Sequence, residues 1–453
     1  MTPTNFLQSG KQTGFWRLSA AKPQLGAAGA RCALPQPPDR FAPATRRQFL
    51  AGAGALCLTS PGATAAVAAP VRAAKYRAAV IGHTGRGNYG HGLDVVWLDV
   101  PNVQVVAVAD ADPKGLADAV KRLGNPKGYP DYRRMLDEVK PDLVTVAPRW
   151  LDQHCDMVIA AAERGVRGIY MEKPMCRTLA EADRMVAACE KYKVKFAIAF
   201  QTRYSQKLPV VQELIRSGRL GQLVEFRARG KEDQRGGGED LWVLGPHMFN
   251  LICHFGGRPQ WCFATVQQDG RPIRPEDVRP GNEGIGPLAG DKVHATYGLA
   301  GGAVASFDST RNAGSRPTRF GLQIFGSQGV LQSFDTGHLP EMYFLPEPCW
   351  SAHRTAKAWV PVSSAGVGRP EPLENRGLDG GNLLAVKDLI EAVENDRLPI
   401  ASVYEARTAT ETVVAVFESQ RLGGPVRFPL ANRQNPLAML TEVSRQRTVG
   451  RGQ

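Results

Sequence analysis

Ala78-Ala79-Val80-Ile81-Gly82-His83-Thr84-Gly85-Arg86-Gly87-Asn88-Tyr89-Gly90-His91 is a short apolar run broken by a cluster of glycines. The run reads as a strand buried on both faces of a parallel sheet. A turn that wraps a dinucleotide needs glycine where the chain bends and where its backbone meets the pyrophosphate. Gly82 and Gly87 hold the first and third positions of G-x-G-x-x-G, and Thr84 holds the middle one. Gly85 then offers the close backbone approach, and Arg86 a charge toward the phosphates. A helix is expected to open here, with its amides and dipole turned to the anion. A second strand, Val103–Ala109, ends at Asp110, at the distance where an acid accepts hydrogen bonds from ribose hydroxyls. Ala111 follows, with no Arg or Ser to receive a 2′-phosphate, so NAD is expected over NADP.

The same alternation continues downstream. Asp142–Ala147 is a strand that runs into Pro148-Arg149-Trp150, and Gly168–Met171 is a strand that runs into Glu172-Lys173-Pro174. A lysine at that place stands at the carboxyl end of a parallel strand, where open α/β sheets bind ligands. Pro174 restricts Lys173 to an extended backbone and stops the strand. Thr178-Leu179-Ala180-Glu181 is a capping box, and Ala182, Met185, Val186 and Cys189 form the core face of its helix. Phe196–Phe200 is the last strand of the unit and ends in Gln201-Thr202-Arg203-Tyr204. His154, near a helix start, reads as a structural or cofactor-edge residue.

Beyond residue 210 the pattern changes. Leu223–Gly230 alternates, Ala295–Asp308 turns on Gly301-Gly302, and Phe320–Phe334 turns near Gly326–Gly329. These are hairpin signals of a mostly antiparallel sheet. Gly236–His254 is a glycine entry followed by an apolar helix, Gly270–Gly290 a polar loop, and Asn382–Asn395 and Ala406–Arg421 are helices. The fold class is thus α/β: a Rossmann dinucleotide-binding domain over 75–203, and a C-terminal α+β domain over 204–430 with a large, mainly antiparallel open sheet. Residues 431–453 read as a tail. An open sheet with one apolar face serves as an oligomer interface, so a homodimer or homotetramer is expected.

The formal charge of +13 does not point to nucleic acid. Residues 1–70 hold seven Lys/Arg and one acid, Asp39, so +6 belongs to the leader and +7 is spread over the rest without a basic stripe. Within the leader, Thr45-Arg46-Arg47-Gln48-Phe49-Leu50 precedes the mildly apolar Ala51–Thr59 and the small residues Ala66-Val67-Ala68. That pattern looks like a twin-arginine export signal, which implies passage through the Tat machinery to the periplasm in a folded state. No apolar run reaches the ~20 residues of a bilayer span. None of the eight cysteines forms C-x-x-C, and Cys253-His254 after His247 lacks a standard ligand spacing, so no metal is expected.

Residues 75–430 resemble the Gfo/Idh/MocA oxidoreductase family, of the glucose–fructose oxidoreductase and inositol dehydrogenase type. The resemblance rests on the Gly82–Gly87 turn with Asp110, on Glu172-Lys173-Pro174, on Gly245-x-His247, on Ile324-x-Gly326-x-x-Gly329 and on the closing helix pair. It implies NAD-dependent hydride transfer at a secondary alcohol of a sugar or sugar derivative, with Lys173 and His247 catalytic. Gly82, Thr84, Gly85, Arg86, Gly87, Asp110, Pro148, Trp150, Glu172 and Lys173 would hold the cofactor, and Arg149, Arg203, Tyr204 and Lys231 the carbohydrate. The family's D-x-G-x-H-x-x-D motif reads Val243-Leu244-Gly245-Pro246-His247-Met248-Phe249-Asn250, with both acids replaced. Glu232, Asp233, Glu239 and Asp240 are the nearby substitutes. Two further readings stay open: an exported glycosidase that retains NAD and works by transient oxidation and elimination, and a binding protein that has lost the chemistry.

Overall fold

The computed structural model describes residues 75–449, apart from 316–317, 350 and 352; the leader expected over 1–70 lies outside them. β1 (Tyr76–Ile81) stands inside a six-stranded, wholly parallel sheet. On one side of it lie β2 (Val103–Ala109) and then β3 (Lys127–Tyr129). On the other lie β4 (Leu143–Val146), β5 (Gly168–Met171) and β6 (Lys195–Ile198). The direction of winding therefore reverses between β1 and β4, and the crevice at their carboxyl ends is the topological switch point. All residues of β4 and β5 are buried, as their mainly apolar sequence requires, and the one hydroxyl within β4, on Thr145, accepts from Trp97 Nε1. Among the crossovers, α1 (Pro113–Arg122), α2 (Tyr132–Val139) and α4 (Leu179–Lys191) start on Asp112, Asp131 and Thr178, whose side chains accept from Gly115, Arg134 and Glu181 N–H groups. Between them runs α3 (His154–Glu163).

The helix expected at the glycine turn does not form. Gly85, Gly87, Gly90 and Gly92 take φ of +82°, +90°, +65° and +76°, and Asn88 takes +53°. Such a run of left-handed backbone cannot belong to a right-handed helix. The chain instead closes a bridge between the main chains of His83 and Asn88, and the first helical residues to follow are one 3₁₀ segment, Val95–Asp99.

The second sheet has eleven strands. Its central six run in the order 330–334, 321–326, β7 (Leu223–Arg229), 304–310, 292–299 and β8 (Pro259–Gln268). Every neighbouring pair among these is antiparallel except β7 with 304–310, which is parallel. The two hairpins form at the expected glycine turns. After α5 (Leu208–Arg216), one face of this sheet is covered by α6 (Gly238–Val243), α7 (Gly245–Gly256) and the second helix of a later pair. Phe249 of α7 meets Tyr297 and Phe307 of the sheet with ring centroids 5.4 Å apart in each case.

The helix pair ties the two sheets together. α8 (Gly377–Glu394) returns to the first domain and buries Ala385, Val386 and Leu389 in the Rossmann core. Its Asn382 accepts from Tyr170 Oη at 2.7 Å and Gln201 Nε2 at 3.0 Å, and donates to the His91 carbonyl at 2.9 Å. α9 (Val403–Leu422) lies on β8, where Ser419 and Gln420 accept from the strand N–H groups of Ala264 and Val266. The segment read as a tail carries α10 (Pro436–Val449), with Leu437 buried in the second core. The six described cysteines are free, no His/Cys/Asp/Glu cluster among the described residues has metal-binding form, and no described helix is long and apolar enough to cross a membrane.

Candidate active site

β5 delivers Glu172-Lys173-Pro174 to the switch point, with a cis peptide bond before Pro174. Lys173 is 8% exposed, and its Nζ donates to the carbonyl oxygen of Val243 at 3.2 Å. Position 243 is where the related motif has an acid; the valine side chain cannot hold a proton, but its main chain holds the amine. Burial draws the Lys173 ammonium below its usual range, while the charges of Glu172 and Glu283 oppose the shift. His247, in the first turn of α7, is buried edge-on to Phe200 with ring centroids 5.7 Å apart. Its Nδ1 has no partner. Burial first, and then the Lys173 charge, keep its pKa well below the usual histidine value, so the ring is neutral at pH 7. A buried amine and a neutral imidazole with a free nitrogen form a pair able to exchange a proton with an alcohol.

Behind Lys173, the fully buried Glu172 is bound by a residue outside the expected set. Its Oε2 accepts from the His91 main chain at 3.0 Å and from the His91 ring Nδ1 at 2.9 Å, and its Oε1 accepts from Lys173 N–H at 3.0 Å. Burial alone raises the pKa of this carboxyl, but the His91 bonds and the Lys173 charge outweigh it and bring it to about 2. Gly90 makes the approach possible, since a Cβ there would lie 2.5 Å from both Glu172 Oε2 and the Ala147 carbonyl. The signal in the sequence was present: a histidine follows directly on the glycine that the carboxylate needs.

The glycine turn departs from expectation at three residues. Asp110 sits at the end of β2, but the chain's own donors already use its lone pairs. It accepts from Thr84 N–H at 3.0–3.1 Å, Thr84 Oγ1 at 2.7 Å, Tyr89 Oη at 2.8 Å and Asp112 N–H at 3.0 Å. Thr84, in the place of the middle glycine, is wedged so tightly that a Cβ on Gly115 would fall 1.9 Å from its hydroxyl. Arg86 is paired with Asp152 and lies over the Trp150 ring at 4.6 Å. Gly87 packs on the loop after β4, where a Cβ would meet Arg149 N at 2.3 Å and Trp150 N at 2.7 Å. Gly82 lies so close to the Tyr89 ring that a Cβ would come within 2.1 Å. Gly85 has nothing within 4 Å of its Cβ position and leaves the backbone open.

Other expected residues divide cleanly. Pro148 is held by its carbonyl, 2.7 Å from His154 Nε2, while His154 Nδ1 lies 3.0 Å from the Pro174 carbonyl. The buried His154 thus pins the loop after β4 to the turn after β5, a structural role. Lys231 lies 4.0 Å from Asp335, and its charge is felt at both Lys173 and His247. Arg203 and Tyr204 are not with them. Tyr204 is buried, donates to Asp388 at 3.1 Å and accepts from Ala401 N–H at 3.2 Å. Arg203 lines a cavity of about 600 Å³ with His254, Lys387 and Arg397. Both follow a strand end, and the short 3₁₀ turn Gln201–Tyr204 directs them toward α8 and α9, with Tyr204 on Asp388 and the Glu405 charge acting on Arg203. Asn250 donates to Glu405 at 3.1 Å on α9, so the motif's second acid has no counterpart here.

The residues present fit a dinucleotide at its nicotinamide end. His247 Nδ1, Trp242 Nε1 and Arg149 Nε are buried polar atoms without partners, and such atoms call for a bound molecule. At the adenosine end a ribose hydroxyl must displace one of the donors that Asp110 already holds.

A Rossmann sheet with a lysine at its switch point, completed by an α+β domain that supplies a histidine, defines a two-domain nucleotide-dependent protein. Residues 76–200 match the profile of the oxidoreductase family with an NAD-binding Rossmann fold, and residues 210–332 match the GFO/IDH/MocA C-terminal domain. The chain belongs to the Gfo/Idh/MocA family. It is 27% identical over 249 residues to levoglucosan dehydrogenase of Pseudarthrobacter phenanthrenivorans, covering 49% of this chain and 63% of that protein. It is 26% identical over 257 residues to myo-inositol 2-dehydrogenase of Thermotoga maritima, covering 55% of this chain and 73% of that one. The solved structure of levoglucosan dehydrogenase in complex with NADH and L-sorbose superposes with a TM-score of 0.63 at 21% identity, covering 78% of this chain and 99% of the other.

Proposed function

We propose that this chain is an NAD-dependent oxidoreductase that transfers a hydride between a secondary alcohol of a sugar or sugar derivative and the nicotinamide. The observation that carries the reading is the buried Lys173, held by the Val243 carbonyl beside the neutral, open Nδ1 of His247. The nicotinamide, when bound, supplies the hydride acceptor. Lys173 hydrogen-bonds the reacting oxygen, and His247 takes the alcohol proton; its lowered pKa keeps it unprotonated and ready to do so. The burial of both groups strengthens their interaction with a developing alkoxide. The names of the two relatives support sugars and cyclic polyols as the substrate class.

The same reading includes three wider parts. The Thr45–Leu50 pattern supports Tat-dependent export to the periplasm of a protein folded around its cofactor. The uncovered face of the second sheet supports a homodimer or homotetramer. The Asp110 carboxylate supports NAD over NADP, since it repels a 2′-phosphate whichever donor it holds.

The test is to denature the purified protein, quantify released nucleotide, and then assay the native protein with NAD against levoglucosan and myo-inositol. Near-stoichiometric NAD, or added NAD that binds, together with net NADH from a free sugar is the expected result. Lys173→Met should abolish turnover while nucleotide remains bound. Cleavage of aryl glycosides with no net NADH would instead establish the glycosidase reading. Neither nucleotide binding nor turnover would establish the binding protein. Full activity in Lys173→Met would remove Lys173 from the chemistry.

A further inference from the structure

The site lacks the acid that its relatives' motif places at 243, so every carboxylate near Lys173 has to be accounted for. Glu172 is committed to His91 and to Lys173 N–H. Glu232 is buried under Arg229 and Arg319 and accepts from Thr310 N–H. Asp240 accepts from Ser309 Oγ at 2.6 Å and Glu232 N–H at 3.0 Å. Asp233 is doubly bound by the Arg235 side chain, and Glu239 accepts from Asn282 Nδ2 at 2.9 Å. Each of the four substitutes that the sequence offers is thus bound within the second domain, Asp240 through Oδ2 alone, its Oδ1 being buried without a partner.

Glu283 is different. It sits in the polar loop between β8 and strand 292–299, on the short 3₁₀ turn Asn282–Gly284, with φ of +53°. The left-handed backbone is uncommon for a glutamate and costs of order 1 kcal/mol or more. Two contacts dock the turn against the first domain: a Cβ on Gly284 would lie 2.9 Å from Asp152 Oδ1, and Arg149 Nε lies 3.8 Å from Glu283 Oε1. That last separation is an ion pair and too long for a hydrogen bond, and Arg149 Nε is left without a partner. Arg149 follows β4 at the switch point, so Glu283 is brought over the mouth of the site from the other domain. Glu172 and Glu283 are the carboxylates whose charge acts most on Lys173, against Arg235 and Lys231 on the opposing side.

We propose that Glu283 is the positioning carboxylate of this site, taking over from the second domain's loop the part left vacant at Val243. This rests on the oxidoreductase reading above. Its carboxylate accepts no side-chain hydrogen bond, it is ion-paired with Arg149 in the loop after β4, and its charge reaches the Lys173 ammonium. The charges that bear on the same point are Glu172, Lys231, Arg235, Glu239, Arg149 and the neutral His247.

The test compares wild type, Glu283→Gln and Glu283→Asp by two independent readouts. The first is the titration midpoint of Lys173, followed by NMR of the reductively ¹³C-methylated protein and assigned with Lys173→Met. Removal of a facing negative charge should lower that midpoint by roughly one unit in Glu283→Gln, and Glu283→Asp should restore part of the shift. The second is the pH profile of kcat with NAD and levoglucosan or myo-inositol. Glu283→Gln should lower kcat at least ~10²-fold with the alkaline limb displaced in the same direction, and NADH affinity unchanged. An unmoved Lys173 midpoint overturns the proposal whether or not a substrate is found. A moved midpoint with kcat within threefold of wild type overturns it as well. If wild type turns over neither sugar, the oxidoreductase reading has failed on that substrate class, and the Lys173 midpoint still decides whether Glu283 acts on the amine.

Discussion

Thr84 stands where a dinucleotide turn has its second glycine, and its hydroxyl lies on the acid that a ribose needs, 2.7 Å from Asp110 Oδ2. Two lone pairs on each carboxylate oxygen are all that the group offers, and Thr84, Tyr89 and Asp112 use them. Thr84→Ala removes one competitor and leaves the Thr84 N–H bond in place. NADH binding, followed by its fluorescence, should tighten about 3–10-fold, the factor for a hydrogen bond of ~0.5–1.5 kcal/mol. Unchanged or weaker binding would show that the ribose is not read at Asp110. Glu172 gives a second expectation at this scale. Its folded pKa of about 2 lies below the ordinary 4.5, so its ionised form adds stability that is present above the unfolded value and is lost as pH falls through 4.5 toward 2. The gap corresponds to roughly 3 kcal/mol. His247 adds to the same trend: with its pKa held low in the folded state, stability falls as pH drops below the usual histidine value. Denaturant unfolding at pH 7, 5 and 3 should therefore show a steep acid loss. In Glu172→Gln that loss should be shallower below pH 5, from a lower starting stability at pH 7.

At the scale of elements, the parallel strands are legible in the sequence because buried strands read as mostly apolar runs, as the buried stretches of β1, β2, β4, β5 and β6 do. Lys173 follows from them, since a charged residue at the end of a buried strand has one place to go. What was not legible came from backbone conformation and from contacts between distant segments. A glycine cluster signals a turn, but φ above zero at Gly85, Gly87, Gly90 and Gly92 is what removes the expected helix. His91 and Glu283 reach the site only because Gly90 clears Glu172 and because the turn at Asn282–Gly284 crosses to the other domain. Arg203 and Tyr204 have the same strand-end logic as Lys173, yet the turn after β6 carries them away. Gly87 shows how much this loop depends on lacking a side chain. Its φ is +90°, and a Cβ would lie 2.3 Å from the main-chain nitrogen of Arg149. Backbone cannot yield as a side chain does, so Gly87→Ala should cost about 1–3 kcal/mol and lower the melting temperature, with nucleotide binding impaired. A melting curve identical to wild type would mean that the loop after β4 has another place to rest.

At the scale of the whole molecule, the described residues leave a large face of the second sheet uncovered. α7 and α9 cover a single face of the second sheet, and the other carries Phe263 and Val304 at 46% and 41% exposure. Trp261 lies over Gly298 on that same face, where a Cβ would come within 2.1 Å of its ring nitrogen. Polar pairs sit between them: Arg227 with Glu225, and His294 Nδ1 with Asp308 at 2.7 Å. Six central strands at ~4.8 Å spacing and about seven residues at ~3.4 Å each give a face of roughly 700 Å², near the ~800 Å² per partner of a stable interface. Beyond β8 the sheet ends on the two-residue strand 426–427, and Ser419 and Gln420 accept from two further N–H groups of β8, so little of this edge is left for strand addition. Sedimentation velocity at micromolar concentration should show wild type as a dimer or tetramer. Phe263→Asp together with Val304→Asp should reduce it to monomer, because two carboxylates brought against their own copies cannot be desolvated in pairs. The Lys173 and His247 chemistry does not draw on this face, so nucleotide binding should survive in the monomer. A monomeric wild type would instead leave the face to a different partner.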